Sequence, residues 1–347
     1  MRRALDFYAV ISVHGIKLSR QGFTLFLQLL NFLIVLSLCT GGLLLYHGIA
    51  MFGRAWYNIN EVITMEVRKV RERICFYSSM FEGRSSAWEI AREAVRWGVG
   101  GLELMNFCDE LKEPDMKAAK EIGTFARGAG LTLPCFSVGI DLYFGCNRAR
   151  IERLKAYADI CSELEIPYLH HTLITSLDPN ILNAPLDPVI KTVTEVALEI
   201  RDYAATKGVK TIVENMGFVV NGVENYTRFR NDTGGKIGVL LDVGNIMFVD
   251  ETAEDFCAKF ADRIDHVHIK DYDLTDAPKA QYAYKTKKGR FLTDAPIGQG
   301  DVNVGRTVSI LKKAGYSGYY SLEFCGGQSD REIERVLAYL CESIKGV

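Results

Sequence analysis

From residue 71 onward, short apolar runs alternate with stretches whose apolar residues recur every three or four positions. The runs ICFYSSMF (74–81), GLELMN (101–106), LTLPCFSV (131–138), PYLHHTLI (167–174), TIVENMG (211–217), KIGVLLDVGN (236–245), HVHIKD (266–271) and YYSLEF (319–324) read as strands. Helices are predicted between them. A capping box at Ser86-Ala-Trp-Glu89 opens the first, and Gly98 to Gly101 close it. Asp115 starts a second, with Ile122, Phe125 and Ala126 on one face, and a third runs from Arg150 to Leu164. Asp187 as N-cap and Pro188 in the first turn open a fourth, whose buried stripe is Val189, Val193, Val196, Ala197, Ile200 and Ala204. A polar helix around Asn225–Arg230, one from Ala253, one marked by Val304, Val308 and Leu311, and one after a second capping box at Ser329–Glu332 complete the series.

Eight strand–helix units in about 275 residues approach the ~250 typical of a (β/α)₈ barrel. The strands are continuous apolar runs, as expected when both faces of a parallel sheet are buried. A doubly wound sheet would carry a glycine-rich phosphate loop after its first strand, and SMFEGRSS has no GxGxxG.

The N-terminus breaks the pattern. Phe23 to Phe52 holds no charged residue and is long enough to cross a bilayer. It makes a poor cleavable signal, because roughly twenty residues precede it and no small-x-small site follows. Basic residues flank both sides, so charge does not orient it. Three readings stand: a membrane anchor, an upstream region joined by a misplaced start with Met65 as the natural beginning, or a hairpin broken at Gly41-Gly42. The chain therefore divides into a hydrophobic extension, 1–70, and a barrel catalytic domain, 71–347.

Across 347 residues, a net charge of −2 gives no reason to expect nucleic acid or an anionic membrane as partner. The nine cysteines form no CxxC pair and read as buried thiols of a reducing, cytoplasmic compartment.

In such a barrel the chemistry sits where strands end. Strand five ends in Glu214, strand six in Asp242, strand seven in His266, His268, Lys270 and Asp271, and strand eight in Glu323. A single carboxylate there is usually a structural ion pair. Four neighbouring strands each offering an ionisable group is a different matter, since each is costly in an apolar strand unless paired or bound to an ion. One divalent cation held by Glu214, Asp242, His268 and Glu323 satisfies all four. Alternation puts His266 and His268 on the same side of their strand, with His266 roughly 6–7 Å deeper and expected to hydrogen-bond within the core. Lys270 continues that face toward the mouth, where it is expected to meet a substrate oxygen.

Together ENMG (214–217), LDVGN (241–245), HVHIKD (266–271), GQG (298–300) and GYYSLEF (318–324) resemble the sugar phosphate isomerase/epimerase group of the xylose isomerase-like TIM barrels. Relatives in that group include D-tagatose 3-epimerase and inosose dehydratase. The resemblance covers residues 71–347 and none of 1–70. It implies one Mn²⁺-like ion on Glu214, Asp242, His268 and Glu323. It also implies a proton-shuttling pair, Glu214 and Glu323, that works on a ketose through an enediolate. Three carboxylates and an imidazole also suit Co²⁺, Mg²⁺ or Zn²⁺.

The chain departs from the pattern in two places. Asn245 stands where tagatose-type epimerases have a histidine, and Gly298-Gln299-Gly300 where many relatives have GEG. Lys270, Asn245, Glu103 and His171 are the expected substrate contacts. The implied substrate is a small carbohydrate, free or phosphorylated, and homo-oligomers are compatible with it. Three alternatives remain: an inosose dehydratase-like lyase on the same cation, a non-catalytic sugar-binding barrel tethered to a membrane by residues 23–52, and a metallohydrolase like the apurinic endonucleases of the same superfamily. Asn245 and the absence of basic excess weigh against the hydrolase. The connection from Asp273 to Asn303 is long for a barrel loop and is expected to act as a lid. Its Lys285, Lys287, Lys288 and Arg290 read as a solvated face.

Overall fold

The apolar runs pair in parallel and close on themselves. A computed structural model describes residues 70–77, 86–323 and 329–345. The apolar segment 23–52, with its anchor, start-site and hairpin readings, lies outside the described residues. No helix among the described residues is long and apolar enough to cross a membrane. The ring strands are β1 (Ile74–Tyr77), β2 (Gly101–Met105), β3 (Cys135–Val138), β4 (Tyr168–His171), β5 (Lys210–Glu214), β6 (Gly238–Asp242), β7 (Ile264–Ile269) and β11 (Tyr320–Leu322). Their order β1-β11-β7-β6-β5-β4-β3-β2 is a closed barrel. Helices α1 (Ala87–Trp97), α2 (Met116–Gly128), α3 (Arg148–Glu163), α4 (Leu186–Thr206), α5 (Val223–Asp232), α6 (Ala253–Phe260), α7 (Val304–Lys313) and α8 (Asp330–Lys345) follow the strands. This is the (β/α)₈ architecture the periodicity predicts.

Two packed regions result. The outward residues of the strands, among them Val213, Val239, Leu241, Val267 and Ile269, join helix residues such as Ile90, Ile122, Leu154, Phe256 and Leu337 in one core. Each such side chain contributes about 1.5–3 kcal/mol on burial. Inside the barrel, Cys135, Ile212 and Leu240 pack with Tyr168 in a small separate cluster. Glu103, Ser137, His170, His266, His268 and Ser321 are buried polar residues of the same ring of strands.

Local expectations fare unevenly. Ser86 is the N-cap of α1, yet its side chain makes no cap bond. Glu110 takes that role from the next connection, accepting from Ser86 Oγ at 2.5 Å and from Ala87 N–H at 3.0 Å. Helix α4 begins at Leu186, so Asp187 lies in its first turn and pairs with Arg228 at 2.5 Å. The Ser329–Glu332 box does form, with Ser329 N–H donating to Glu332 at 3.1 Å and Glu332 N–H to Ser329 Oγ at 3.3 Å. Strand β3 starts after Pro134, which has no N–H for the ladder.

The long connection after β7 is built rather than loose. It holds β8 (Tyr272–Thr275), β9 (Tyr284–Lys285) and β10 (Phe291–Asp294) in an antiparallel sheet ordered β8-β10-β9. Two aspartates pin it, Asp271 buried and Asp250 with its side chain enclosed. Asp250 accepts from Thr286 Oγ1, Lys288 N–H and the Arg290 guanidinium at 2.7–3.1 Å. Asp271 accepts backbone N–H groups of Tyr272, Gly298, Gly300 and Val302 at 2.8–3.0 Å. A Cβ on Gly300 would lie 2.4 Å from Asp271 Oδ1, which is why the second glycine of GQG admits no side chain. Arg290 is thereby tied to Asp250 and is not a free cation for substrate.

Candidate active site

Each strand-end side chain is set by its neighbours. Asn215, just past β5, clamps the backbone of Asp242 from both sides. Its amide donates to Asp242 O and accepts from Asp242 N–H, each at 2.9 Å. Asp242 Oδ1 then accepts from Gly244 and Asn245 N–H at 2.9 and 2.8 Å, so DVGN is a turn closed by its own aspartate. That leaves Oδ2 facing inward without an aligned hydrogen bond. Lys270 Nζ stands 3.1 Å from Oδ2 and 2.8 Å from Glu323 Oε1. The lysine passes so close to the turn that a Cβ on Gly244 would lie 2.5 Å from its Cγ.

Glu214, Asp242 and His268 each offer a ligand atom, all within 4.8 Å of one another, and all three are buried. Glu323 Oε2 lies 3.6 Å from His268 Nδ1, and Glu214 Oε2 lies 3.8 Å from the same nitrogen, too far for hydrogen bonds. His268 Nδ1 and Asp242 Oδ2 are thus buried polar atoms left without a hydrogen bond in the centre of the cluster. Leaving a buried polar group unpaired costs about 1–3 kcal/mol, a cost that the Lys270 contact at 3.1 Å offsets for Asp242 and that nothing comparable offsets at His268 Nδ1. Two carboxylates and one imidazole nitrogen, with Glu323 beside the imidazole, are a donor set that a small hard cation would fit.

Glu103 lies inside the barrel, completely buried. One oxygen, Oε1, takes Ser137 Oγ at 2.5 Å and His268 Nε2 at 2.9 Å. The other, Oε2, takes His266 Nε2 at 2.7 Å and the Ser321 hydroxyl. Its four partners leave no oxygen for substrate, so Glu103 is a core hub rather than the mouth contact expected of it. His266 bonds within the core, as its depth suggests. The β4 pair separates by alternation. His170 faces inward, bonded to Ser137 at 2.8 Å and 3.6 Å from Glu214 Oε1, whereas His171 bonds only the Thr172 carbonyl. His170 is therefore the member of the pair that the barrel brings to the cluster. The ring of Tyr77 lies 4.8 Å from that of His268 and closes the side toward β1. Asn245 is buried, its Oδ1 3.4 Å from Lys270 Nζ.

Charges follow from this packing. Burial alone would lower the His268 imidazole, but Glu103, Glu214 and Glu323 raise it well above its ordinary value. Burial lowers His170 to about 4, so it is neutral near pH 7. Burial, reinforced by Glu323 and Glu214, raises Asp242 to about 6 against the pull of Lys270. Glu214 is lowered to about 2, because His170, His268 and Lys270 outweigh its burial.

A cavity of about 420 Å³ opens at the other end of the barrel, lined by Tyr168, Asp265, His266 and Tyr319 among others. These residues sit at strand starts, the face associated with stability rather than chemistry.

A closed parallel barrel with a carboxylate–imidazole cluster at its strand ends defines the class of protein. Residues 91–343 match the model of the xylose isomerase-like TIM barrel family, and the chain belongs to that family. It is similar to the inosose dehydratase of Clostridium perfringens, 26% identical over 162 residues, which is 45% of this chain and 52% of that protein. The chain thus spans about half the length of the curated relatives it matches. Among solved structures, it is similar to a xylose isomerase-like TIM barrel protein from Mycobacterium smegmatis in complex with magnesium. That pair is 17% identical with a TM-score of 0.60, covering 78% of this chain and 96% of the other. It is likewise similar to 3-keto-D-glucoside 4-epimerase from E. coli, 16% identical with a TM-score of 0.58, covering 77% and 98%.

Proposed function

We propose that the barrel is a divalent-metal-dependent isomerase or epimerase that moves a proton next to the carbonyl of a ketose. The observation that supports this best is the convergence of Glu214, Asp242 and His268 within 4.8 Å, where Asp242 Oδ2 and His268 Nδ1 are buried without an aligned hydrogen bond. With Glu323 they would hold the cation, Mn²⁺ by preference. When bound, such a cation would supply Lewis acidity toward the oxygens of the substrate carbonyl and its neighbouring hydroxyl.

The protein side chains do the rest. Glu214 and Glu323 reach the cluster from β5 and from the end of β11, so they can take and return a proton from two sides of a bound sugar. Lys270, between Asp242 and Glu323, orients a substrate hydroxyl. Asn245 and Tyr77 wall the site. A second reading, dehydration, is favoured by relatives found by sequence that are named inosose dehydratase. It uses the same proton abstraction, followed by loss of a β-hydroxyl that Lys270 would assist.

The test is metal analysis of the full chain followed by a screen of ketoses, ketose phosphates and inososes in deuterated water. A deuterated isomeric sugar supports the first reading and a dehydrated ketone the second. Absence of both bound metal and turnover sinks the proposal.

Affinity for the cation is expected to rise with pH. Proton and cation compete for Asp242 Oδ2 and His268 Nδ1, and Asp242 holds its proton up to about 6. Each competing proton changes affinity by about tenfold per pH unit below the point at which its group titrates, and with His268 also held well above its ordinary value two protons compete in this range. Calorimetric titration with Mn²⁺ at pH 5 and pH 6 checks it, and equal affinities would refute it.

A further inference from the structure

Proton bookkeeping around Glu103 fixes which nitrogen of each histidine is bare. A carboxylate only accepts hydrogen bonds, so the single proton of Ser137 goes to Glu103 Oε1. Ser137 Oγ, 2.8 Å from His170 Nδ1, must then accept from that nitrogen. Neutral His170 consequently carries its hydrogen on Nδ1 and a lone pair on Nε2. That Nε2 is buried without a hydrogen bond and stands 3.6 Å from Glu214 Oε1. Glu103 Oε1 also accepts from His268 Nε2 at 2.9 Å. The hydrogen that His268 gives up to make room for a cation therefore comes from Nδ1, the nitrogen facing Glu214 and Glu323. One buried carboxylate on β2 aims two imidazole lone pairs at the cluster, the first directly and the second through a serine.

We propose that Glu103 is a positioning residue that locks the tautomers of His268 and, through Ser137, of His170, so that both present bare nitrogens to the metal site. This rests on the reading of the cluster as a cation site. It adds His170 Nε2 as an electron pair directed at the same space. Hydrogen-bond partners of metal-bound histidines typically account for 10–100-fold in metal affinity.

The test uses the full chain with ¹⁵N-labelled histidine. Two-bond ¹⁵N–¹H spectra, without metal and with Zn²⁺, assign the tautomers. In the wild type His170 is expected as Nδ1–H in both states, and zinc-loaded His268 as Nε2–H. In Glu103→Gln, whose amide can donate as well as accept, His268 is expected to lose its single tautomer and Mn²⁺ binding to weaken about 10–100-fold. In Ser137→Ala, which removes only a hydroxyl, His170 is expected to become a tautomer mixture while His268 stays unchanged. Thermal unfolding confirms that each variant is folded, and Ser137→Ala keeps the test alive if Glu103→Gln is not.

A wild-type His170 protonated on Nε2 overturns the proposal, as does Mn²⁺ affinity within twofold of wild type in Glu103→Gln with unchanged tautomers. If the wild type binds no cation, the proposed function fails alone. The metal-free His170 spectrum of the wild type and of Ser137→Ala still judges the hydrogen-bond relay.

Discussion

Glu323→Gln is expected to lower turnover of the true substrate by about 10²–10⁴-fold, the usual worth of a positioned acid–base group. Glutamine keeps the shape and one oxygen for the cation but takes up no proton. Glu323 is the more open of the two proposed proton carriers, its side chain 19% exposed against 7% for Glu214. Its Oε1 is held at 2.8 Å by Lys270, which leaves Oε2 turned toward the cluster. Glu214→Gln is expected to fall by a similar factor.

The two variants separate proton transfer from metal binding. If each glutamate serves one face, a variant lacking one still exchanges deuterium into the isomer that the remaining carboxylate deprotonates. It then forms almost no product of opposite configuration. Metal content measured on the same samples shows whether the cation is still in place. Glu323→Gln with full metal and turnover within threefold of wild type would remove Glu323 from the chemistry.

The depth to which the site was legible depends on what distinguishes a residue from its surroundings in the chain. Glu214, Asp242, His268 and Glu323 stand out because an ionisable residue at the end of an apolar run has few cheap explanations. Glu103 sits in an equally apolar run, GLELM, and only the register Tyr77↔Glu103 and the inward turn of β2 reveal that it points at two histidines. His170 and His171 are adjacent, so the choice between them is the phase of β4. That phase is set by Ser137↔His170 pairing across β3, which no local pattern encodes. In the sequence Asn215 reads only as part of the TIVENMG strand run, yet its amide sets the height of Asp242. The failed cap at Ser86 has a similar cause, since its competitor Glu110 arrives from 24 residues away. The sheet in the β7–α7 connection was missed because β9 has only two residues and carries no periodicity. The barrel itself was readable because eight repeats of one unit reinforce one another.

Lys270→Met is expected to destabilise the metal-free protein by about 3–5 kcal/mol at neutral pH, the cost of removing one partner from a buried ion pair. Lys270 is itself buried and contacts Asp242 and Glu323 together, so its loss leaves both carboxylates without that charge. The pH dependence has a definite sign. Folded Asp242 binds its proton more tightly than the unfolded chain does, at about 6 against roughly 3.9 for a free aspartate. Stability contributed by that proton is present at low pH and lost as pH rises through this window. Removing Lys270 raises the upper edge further, so the variant gains more from acidification between pH 7.5 and 5 than the wild type does.

The proposed cation would act in the opposite direction, binding the ionised carboxylates and restoring about 2.7 kcal/mol at a hundredfold excess over its dissociation constant. Urea unfolding at both pH values, with and without Mn²⁺, reads all three effects. A lysine that only greets substrate would leave the metal-free variant as stable as wild type at pH 7.5. In that case the charge balance of the empty cluster would have to come from His268 alone.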